Sequence, residues 1–385
     1  NTKIEILPNK KIKSKKFLIN INDFIDKKDI ICKETIFVDL ITNNYFLFEI
    51  DHLNKVSDYS KINTKNDKIL KNYLDYFDLK NNELTLKKNI TLIDDHLIIP
   101  SGYVIKFVSG NEIILINDSF IISESVVIAD GGKSNIDKPI IIRGKGNNNG
   151  GGLFIKDMSQ KNLFQNVIFK DLNGKLDNLL LSQYIIYGSL NFYNTEVNLS
   201  EIKMINILSE DAINIIKSNF EIKNSYFDTI SSDAIDVDYG KGSLRNLKFE
   251  NILNDGVDFS ESNVTINNLI FNNVGDKAIS VGENSNLQIN NTSISKSYIG
   301  VVSKDGSIVK VDQIKINEVK FPFASYQKKK EYSYPLLKVK NSKVDKFNKL
   351  YLKDDLSLLT INDVPKYGTT QNILDLIYDP NSKIN

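Results

Sequence analysis

The chain has 385 residues, enough to bury a large core, and its 49 basic and 48 acidic side chains leave a formal net charge of +1. A balanced charge with only two arginines argues against a nucleic-acid partner, and no apolar run is long enough to span a membrane. One cysteine and two histidines exclude an internal disulfide and argue against cysteine or histidine metal sites and Ser-His-Asp triads.

Residues 1–90 lack the repeat described below. They are predicted to form a mixed lead-in segment that caps the open end of a solenoid, because terminal coils need caps. A separate partner-binding domain is the alternative. The sequence begins with Asn1 rather than Met, so we expect a processed chain or a fragment, with any signal peptide outside the sequence.

Residues 91–345 contain an internal repeat of 22 residues, clearest in their second half. Three of its columns are Asn224, Asn246, Asn268 and Asn290; Phe227, Phe249 and Phe271; and Ile235, Val257, Ile279 and Val301. A fixed period of this size indicates a solenoid in which each repeat stacks on the one before.

Each repeat holds short stretches that alternate between apolar and polar residues, and Gly and Asn lie between them. Alternation with period two predicts half-buried strands, and no helical period competes with it. The chain is therefore predicted to be all-β: a right-handed parallel β-helix of roughly ten coils, in which apolar columns stack inside and asparagines form ladders at the turns. Residues 346–385 are predicted to cap the second end.

One strand of each coil carries acidic residues where alternation directs side chains outward. The segment 233–238 reads Asp-Ala-Ile-Asp-Val-Asp, and the segment 255–260 reads Asp-Gly-Val-Asp-Phe-Ser. Adjacent strands lie about 4.8 Å apart and alternate residues of a strand about 6.6 Å apart. Asp236, Asp238 and Asp258 should therefore form a tight cluster on the outer face.

The first residues of these strands form a neighbouring column of Asp233, Asp255 and Lys277. An Asp at a coil corner can also cap a turn, and Lys277 can simply neutralise Asp255. Both interpretations, functional and structural, are kept for this column.

Ionised carboxylates about 5 Å apart repel, so one must keep a proton or a cation must lie between them. Oxygen ligands without histidine favour Ca²⁺, which predicts a calcium site at Asp236, Asp238 and Asp258 and no other cofactor. The candidate catalytic residues are Asp236, Asp258, Lys277 and Lys304. Calcium beside a lysine base would suit a polysaccharide lyase, whereas paired carboxyl groups without metal would suit a glycoside hydrolase.

Further residues are predicted to contact substrate because they fall in the same columns or at the adjoining turns. They are Asp238, Ser260, Glu283, Tyr326 and Lys328. Lys328 also belongs to a run of three lysines, for which an exposed loop is the alternative interpretation.

With these residues identified, the chain resembles the right-handed parallel β-helix proteins of the pectate-lyase-like superfold from about residue 90 to 350. The motifs Ser-Asp-Ala-Ile-Asp-Val-Asp at 232–238, Asn-Asp-Gly-Val-Asp-Phe-Ser at 254–260 and Tyr-Gln-Lys-Lys at 326–329 are similar to a bacterial subgroup sometimes attached to spore-coat-protein-H-like domains. The wider class implies carbohydrate substrates, although it includes adhesins and tailspikes. No catalytic arginine motif of the lyases can be matched.

Two functions follow from the sequence. The first is a secreted, periplasmic or cell-surface protein that binds or processes an acidic polysaccharide on its Asp/Lys-lined face, either as a lyase or as a hydrolase. The second is a noncatalytic scaffold or adhesin whose acidic face contacts a partner.

Overall fold

The computed structural model describes residues 73–134, 136–146, 150–156, 160–174, 186–368 and 370–378, together with the backbone of two earlier strands. The chain divides into two compact units, Asn1–Asp67 and Lys68–Asn385. In the first unit, the strands Glu34–Val38 and Tyr45–Glu49 form an antiparallel pair. Most of the predicted lead-in segment lies outside the described residues, so its capping role stays a prediction.

The second unit is a β-solenoid of about twelve stacked parallel coils of about 22 residues, which confirms the predicted fold class and exceeds the predicted ten coils. It begins with a 3₁₀ turn at Tyr73–Asp75 and a hairpin of Phe77–Lys80 with Glu83–Leu86. Parallel pairing then starts at Glu83 and continues to Ile361, beyond both ends of residues 91–345.

Each coil contributes strands to three parallel sheets, here called the first, second and third sheet in chain order. The early first-sheet strands are Glu83–Leu86, Val104–Val108, Val126–Asp130, Lys161–Gln165 and Glu196–Ser200. The early second-sheet strands are Ile90–Ile93, Glu112–Leu115, Ile140–Gly144, Val167–Leu172 and Lys203–Ile207. The third-sheet strands are Leu97–Ile99, Phe120–Ser123, Gly152–Lys156, Gly188–Tyr193, Asp211–Ile216, Asp233–Asp238 and Val257–Ser260.

Later coils have tighter corners, so single strands run through more than one sheet. Asn219–Ile230 and Lys241–Ile252 pass from the first to the second sheet, and Asn263–Gly282, Asn286–Lys304 and Ile308–Tyr326 continue into the third. The last strands are Leu336–Asp345, Tyr351–Lys353, Leu358–Ile361 and Val364–Pro365. Helix α1, Ile373–Tyr378, follows. No helix in the described part of the chain has the length and apolar character needed to cross a membrane.

The interior is built from the columns that the repeat predicts. The rings of Phe227, Phe249 and Phe271 stack with centroids 4.8 and 4.6 Å apart and are fully buried. Ile235 and Val257 begin a second buried column that continues on the following coils. Alternation along each strand therefore directs the intervening residues to the outer face.

The asparagine ladder at the bend between the first and second sheets departs from the prediction at one position. Asn224, Asn246 and Asn268 adopt left-handed backbone conformations, and the next residue that does so is Asn291 rather than Asn290. The Asn268–Asn291 step spans 23 residues, whereas the preceding step spans 22. One coil thus contains an additional residue, which shifts the ladder position by one.

Candidate functional site

The candidate site lies on the outer face of the third sheet, where carboxyl groups occupy equivalent positions of consecutive strands. Asp211 pairs with Asp233 in strand register, and Asp236 pairs with Asp258. The inward neighbours of Asp236 are fully buried in the core, so Asp236 is directed outward as predicted. The acidic face is defined here by six residues: Asp211, Asp233, Asp236, Asp238, Asp255 and Asp258.

The acidic face is more buried than the alternation alone predicts. Asp211 and Asp255 are each 3% exposed, and the other four residues are half-buried. Apolar clusters cover the same sheet surface on both sides. One contains Ile122 and Phe154 on earlier coils, and in the other α1 packs its isoleucines onto later coils. The carboxyl groups therefore occupy a polar band between two apolar clusters.

Backbone amides of the next coil fix the column of leading Asp residues. Asp233 Oδ1 accepts hydrogen bonds from the Asp255 amide at 2.8 Å and from Asn254 Nδ2 at 2.6 Å. Asp255 Oδ1 accepts one from the Lys277 amide at 2.9 Å. These contacts are the corner contacts expected from turn chemistry, and they also hold both carboxyl groups in fixed orientations.

Burial is the main cause of raised pKa values across the acidic face, and the neighbouring carboxylates add to it. Burial raises the pKa of Asp236 well above its ordinary value, with further increases from Asp211, Asp238 and Asp258. It raises the pKa of Asp238 to about 6 and that of Asp233 to about 8. The face thus holds carboxyl groups that titrate around neutral pH, a property typical of functional sites.

Lys277 lies beside the acidic face and is held in two ion pairs. Its Nζ lies 2.6 Å from Asp276 Oδ2 and 3.4 Å from Asp255 Oδ1, and all three side chains are at most 5% exposed. Burial alone would lower the pKa of Lys277, but the charges of Asp255 and Asp276 outweigh it and raise the pKa. Asp276 lies in a β-bulge between Val274 and Lys277, where the pairing with the next strand shifts by one residue.

Lys304 reaches the acidic face from two coils further along. Its Nζ lies 3.9 Å from Asp258 Oδ1. A Cβ built on Gly282 would lie 3.2 Å from Lys304 Cε, so glycine gives the lysine room to lie across the intervening coil. Burial would lower the pKa of Lys304, but the charge of Asp258 outweighs it and raises the pKa.

The predicted substrate-contact residues fall into two groups. Ser260 Oγ donates to Glu283 Oε2 at 2.7 Å, and Lys329 Nζ lies 2.6 Å from Glu283 Oε1. Tyr326 is instead fully buried, and its hydroxyl lies 2.7 Å from the Tyr378 hydroxyl. Lys328 Nζ lies 4.5 Å from the centre of the Tyr378 ring.

Helix α1 is the reason that Tyr326 is not exposed, and it brings Tyr378 to the edge of the site. Tyr298 Oη donates to the Leu376 carbonyl at 2.8 Å, which anchors the helix. The Tyr378 ring centre lies 5.5 Å from Lys277 Nζ. The repeat does not predict this contact, because α1 lies outside the repeat. Lys329 belongs to the run of three lysines that includes Lys328.

The carboxyl groups that could hold a metal ion differ from the predicted set. Asp233, Asp255 and Asp258 each offer an oxygen atom, and these atoms lie within 4.8 Å of one another. Only Asp258 belongs to the predicted group of Asp236, Asp238 and Asp258. The corner column approaches Asp258 because amides of the next coil orient Asp233 and Asp255.

The acidic face is separate from a spacious surface groove in the described part of the chain. A groove of about 650 Å³ lies around the end of the second sheet, where Lys296, Lys320 and Lys346 are among its lining residues. None of the predicted site residues lines it. The buried ion pairs and raised pKa values therefore identify the acidic face as the candidate site.

No protein-family model matches this sequence, and the comparison with curated proteins gives no match. Several solved structures are similar to it. The catalytic domain of a GH87 α-1,3-glucanase in complex with nigerose aligns with a TM-score of 0.34 and 12% identity, covering 70% of this chain and 64% of that chain. The chain therefore spans less than two thirds of that domain.

Two other solved structures align over most of their own length. An alginate lyase from Paenibacillus sp. str. FPU-7 has a TM-score of 0.32 and 10% identity, with 67% of this chain and 90% of that chain covered. The Streptococcus pneumoniae surface protein and adhesin PfbA has a TM-score of 0.30 and 12% identity, with 66% and 89% covered. At these identities none of the three indicates a substrate or reaction for this chain, and the resemblance to a particular bacterial subgroup stays a prediction.

Proposed function

We propose that this chain binds a polysaccharide along the outer face of the third sheet and hydrolyses a glycosidic bond there. The observation that carries the proposal is the pairing of two outward carboxyl groups on adjacent coils. Asp236 has a pKa that burial raises well above its ordinary value, and Asp258 lies beside it in strand register. Glycosidases need one carboxyl group that keeps its proton and a second that acts as a base or nucleophile.

In this proposal Asp236 is the general acid. Its carboxyl group donates a proton to the oxygen of the departing sugar, which lowers the cost of breaking the glycosidic bond. Asp258 is the nucleophile, and its side chain is 27% exposed, so a sugar ring can reach it. Its carboxylate bonds to the anomeric carbon as the bond to the departing sugar breaks, and a water deprotonated by Asp236 then releases the sugar from Asp258. Lys304, 3.9 Å away, serves as its counterion.

The spacing of the partners predicts the stereochemistry. Adjacent strands are about 4.8 Å apart, close to the roughly 5–5.5 Å carboxyl separation of retaining enzymes. Alternate residues of one strand, such as Asp236 and Asp238, are about 6.6 Å apart, within the roughly 6.5–9.5 Å range of inverting enzymes. With Asp236 and Asp258 as the pair, the anomeric configuration is retained. Inversion would instead identify Asp238 as the base.

Hydrolysis is favoured over lyase chemistry because neither candidate lysine is suited to remove a proton. A lysine base needs a lowered pKa, whereas neighbouring carboxylates raise the pKa of both Lys277 and Lys304. We assign the two lysines as counterions of the acidic face. The Ser260–Glu283–Lys329 group at the end of the strands supplies further hydrogen-bonding partners for sugar hydroxyls.

A polysaccharide substrate also implies a location at the cell surface, in the periplasm or outside the cell, and no role for nucleic acid. The alternative is a noncatalytic scaffold or adhesin of the bacterial subgroup sometimes attached to spore-coat-protein-H-like domains. In that case the acidic face would bind a glycan or protein without cleaving it.

The test is an activity screen of the full chain on neutral and uronate-containing polysaccharides, with release of reducing ends and ultraviolet absorbance of unsaturated products measured separately. We expect reducing ends without unsaturation. Asp236→Asn and Asp258→Asn should each lower the rate at least 100-fold, as loss of an acid or base does. Asp345→Asn, an exposed carboxyl group on the second sheet, is the matched control and should keep full activity.

Three results would decide against the proposal. Unsaturated products would indicate a lyase. Full activity of Asp236→Asn would show that Asp236 is not the general acid. The chain could also bind a glycan without cleaving any polymer. If that binding were lost in Asp258→Asn but kept in Asp345→Asn, the function would be binding or scaffolding rather than hydrolysis.

A further inference from the structure

We infer that Asp233, Asp255 and Asp258 form a binding site for one divalent cation, with Ca²⁺ as the best-fitting ion. The site shares Asp258 with the proposed hydrolytic pair but does not include the acid Asp236. The inference goes beyond the proposed hydrolysis, because occupancy of the site can be measured without any sugar. The three residues lie on two adjacent coils, two at the corner column and one in the middle of the strand.

The three carboxyl groups are positioned as metal ligands, with one oxygen bound to the protein and one left over. The Oδ1 atoms accept backbone hydrogen bonds from the amides of Asp255, Lys277 and Phe259, at 2.8, 2.9 and 2.9 Å. Within the described residues, no hydrogen bond or ion pair reaches any of the three Oδ2 atoms. Fixed carboxyl groups with a remaining oxygen each reduce the ordering cost of binding an ion.

A hydroxyl group on the coil that follows Asp258 has no protein partner in the described part of the chain. Ser280 follows Asp258 in strand register and points to the same outer face. The residue is fully buried, and its Oγ makes no hydrogen bond. A buried hydroxyl without a hydrogen-bond partner destabilises the folded protein. An ion or an ion-bound water beside Asp258 would supply the missing partner.

When the carboxyl groups at the site are ionised, the charges around it sum to a net charge of −2. Asp233, Asp255, Asp258 and the adjoining Asp276 bring four negative charges, and Lys277 and Lys304 bring two positive charges. A buried charge needs compensation. One divalent cation balances the group, whereas a monovalent cation or a third lysine would leave it charged.

The size and type of the ligands favour Ca²⁺ over other divalent ions. All the ligands are oxygens, which hard cations prefer, whereas zinc sites use nitrogen and sulfur. Ca²⁺ binds oxygens at about 2.3–2.6 Å, so oxygens on opposite sides of the ion can be separated by the 4.8 Å that limits this group. Mg²⁺ requires about 2.0–2.1 Å and near-octahedral geometry, which is a tighter arrangement.

The test uses the full chain stripped with a chelator and dialysed. Calorimetric titration with Ca²⁺ alone should give one site per chain. The chain contains 17 tyrosines and no tryptophan, so tyrosine-sensitised Tb³⁺ luminescence, displaced by Ca²⁺, provides a second readout. Asp233→Asn and Asp258→Asn should each weaken binding at least tenfold. Ser280→Ala should weaken it two- to fivefold.

Two variants separate this site from the proposed hydrolytic pair. Asp236→Asn should keep Ca²⁺ affinity within twofold while losing hydrolysis, and Asp345→Asn should change neither. Circular dichroism of each variant checks that a loss is not due to unfolding. Absence of Ca²⁺ binding up to about 10 mM, roughly tenfold above the dissociation constants of the weakest protein calcium sites, would overturn the inference. The inference would also be overturned if Asp236→Asn lost Ca²⁺ binding while Asp233→Asn kept it. That result would assign the ion to Asp236, Asp238 and Asp258 instead. If Ca²⁺ binds but no polymer is cleaved, the cation site stands and the hydrolase proposal falls.

Discussion

Two columns of short polar side chains run along this solenoid, and they differ in what their chemistry allows. At the bend between the first and second sheets, Asn246 Nδ2 donates to Asn224 Oδ1 at 2.9 Å, and Asn268 repeats the contact one coil later. On the third sheet, Asp236 and Asp258 stand in the same adjacent-coil relation. An amide both donates and accepts, whereas an ionised carboxyl group only accepts.

The asparagine side chains can therefore hydrogen-bond to one another from coil to coil, whereas ionised aspartates in the same arrangement have no donor for each other. The transition is visible at Asn214, whose Nδ2 donates to Asp211 Oδ2 at 2.8 Å and to Asp236 Oδ2 at 3.2 Å. Beyond Asp236 the column needs protons, lysines or a cation instead. The same 22-residue period thus produces a hydrogen-bonded structural ladder at the bend and a column of carboxyl groups that needs other partners on the sheet.

The largest expected effect comes from removing a counterion of the acidic face. Lys277→Met keeps the length of the side chain but leaves Asp255 and Asp276 buried without their cation. Breaking a buried ion pair on one side costs about 3–5 kcal/mol, so the free energy of unfolding, measured by urea denaturation at pH 7, should fall by that amount.

Lys310→Met is the matched control, because Lys310 is exposed on the first sheet and has no ion pair among the described residues. It should change the free energy of unfolding by less than about 0.5 kcal/mol. If Lys277→Met costs no more than this control, the carboxyl groups around it are not charged in the folded protein, and the contrast between the two columns is weaker than the geometry implies.

A smaller effect of opposite sign is expected from converting the aspartate column toward the asparagine column. Because the pKa of Asp236 is raised in the folded protein, folding at pH 8 must either protonate or bury its carboxylate. Asp236→Asn removes that cost, so it should raise the free energy of unfolding by about 1–3 kcal/mol. Asp345→Asn, with an exposed side chain, should have little effect.

The pH dependence of stability checks the same point. Burial raises the folded-state pKa values of Asp238 to about 6, of Asp211 to about 7 and of Asp233 to about 8. Groups with raised values bind more protons when folded, so they favour the folded state at low pH, and this contribution is lost as pH rises through those values. Stability should fall between about pH 4 and pH 8, and Asp236→Asn should flatten this fall. A rise over that interval in the unmodified chain would contradict the raised pKa values.

The interior could be predicted from the sequence because stacking leaves little freedom. A residue such as Phe249 occupies the same interior position as its neighbours 22 residues away, and parallel strands place their side chains in contact. The same arithmetic predicted that Asp236 and Asp258 would be adjacent on the outer face. These features depend only on period and alternation.

The remaining features of the site cannot be predicted from the repeat, because they depend on local departures from it and on residues outside it. The additional residue before Asn291 shifts one coil by one residue, and the bulge between Val274 and Lys277 restores the 22-residue offset on the third sheet. The reach of Lys304 across Gly282 depends on the path of a long side chain. The burial of Tyr326 depends on α1, a segment from outside the repeat that packs against it.

The smallest effect is expected at the asparagine ladder, where two contributions can be separated. Asn246→Ala removes two ladder hydrogen bonds and replaces an asparagine, which tolerates the left-handed region, by an alanine at a φ of 55°. The left-handed conformation costs L-residues other than Asn and Gly about 1–2 kcal/mol, and exposed ladder bonds contribute about 0.5–1.5 kcal/mol net. Asn246→Gly keeps the backbone conformation, so it should lower the free energy of unfolding, measured by urea denaturation, by about 1 kcal/mol less than Asn246→Ala does.

Asn267→Ala is the control for the ladder, because Asn267 is at an exposed first-sheet position without a ladder bond. It should lower the free energy of unfolding by less than about 0.5 kcal/mol. Equal costs for Asn246→Gly and Asn267→Ala would mean that the ladder contributes nothing beyond backbone conformation, and the amide column would then stabilise the solenoid through its turns alone.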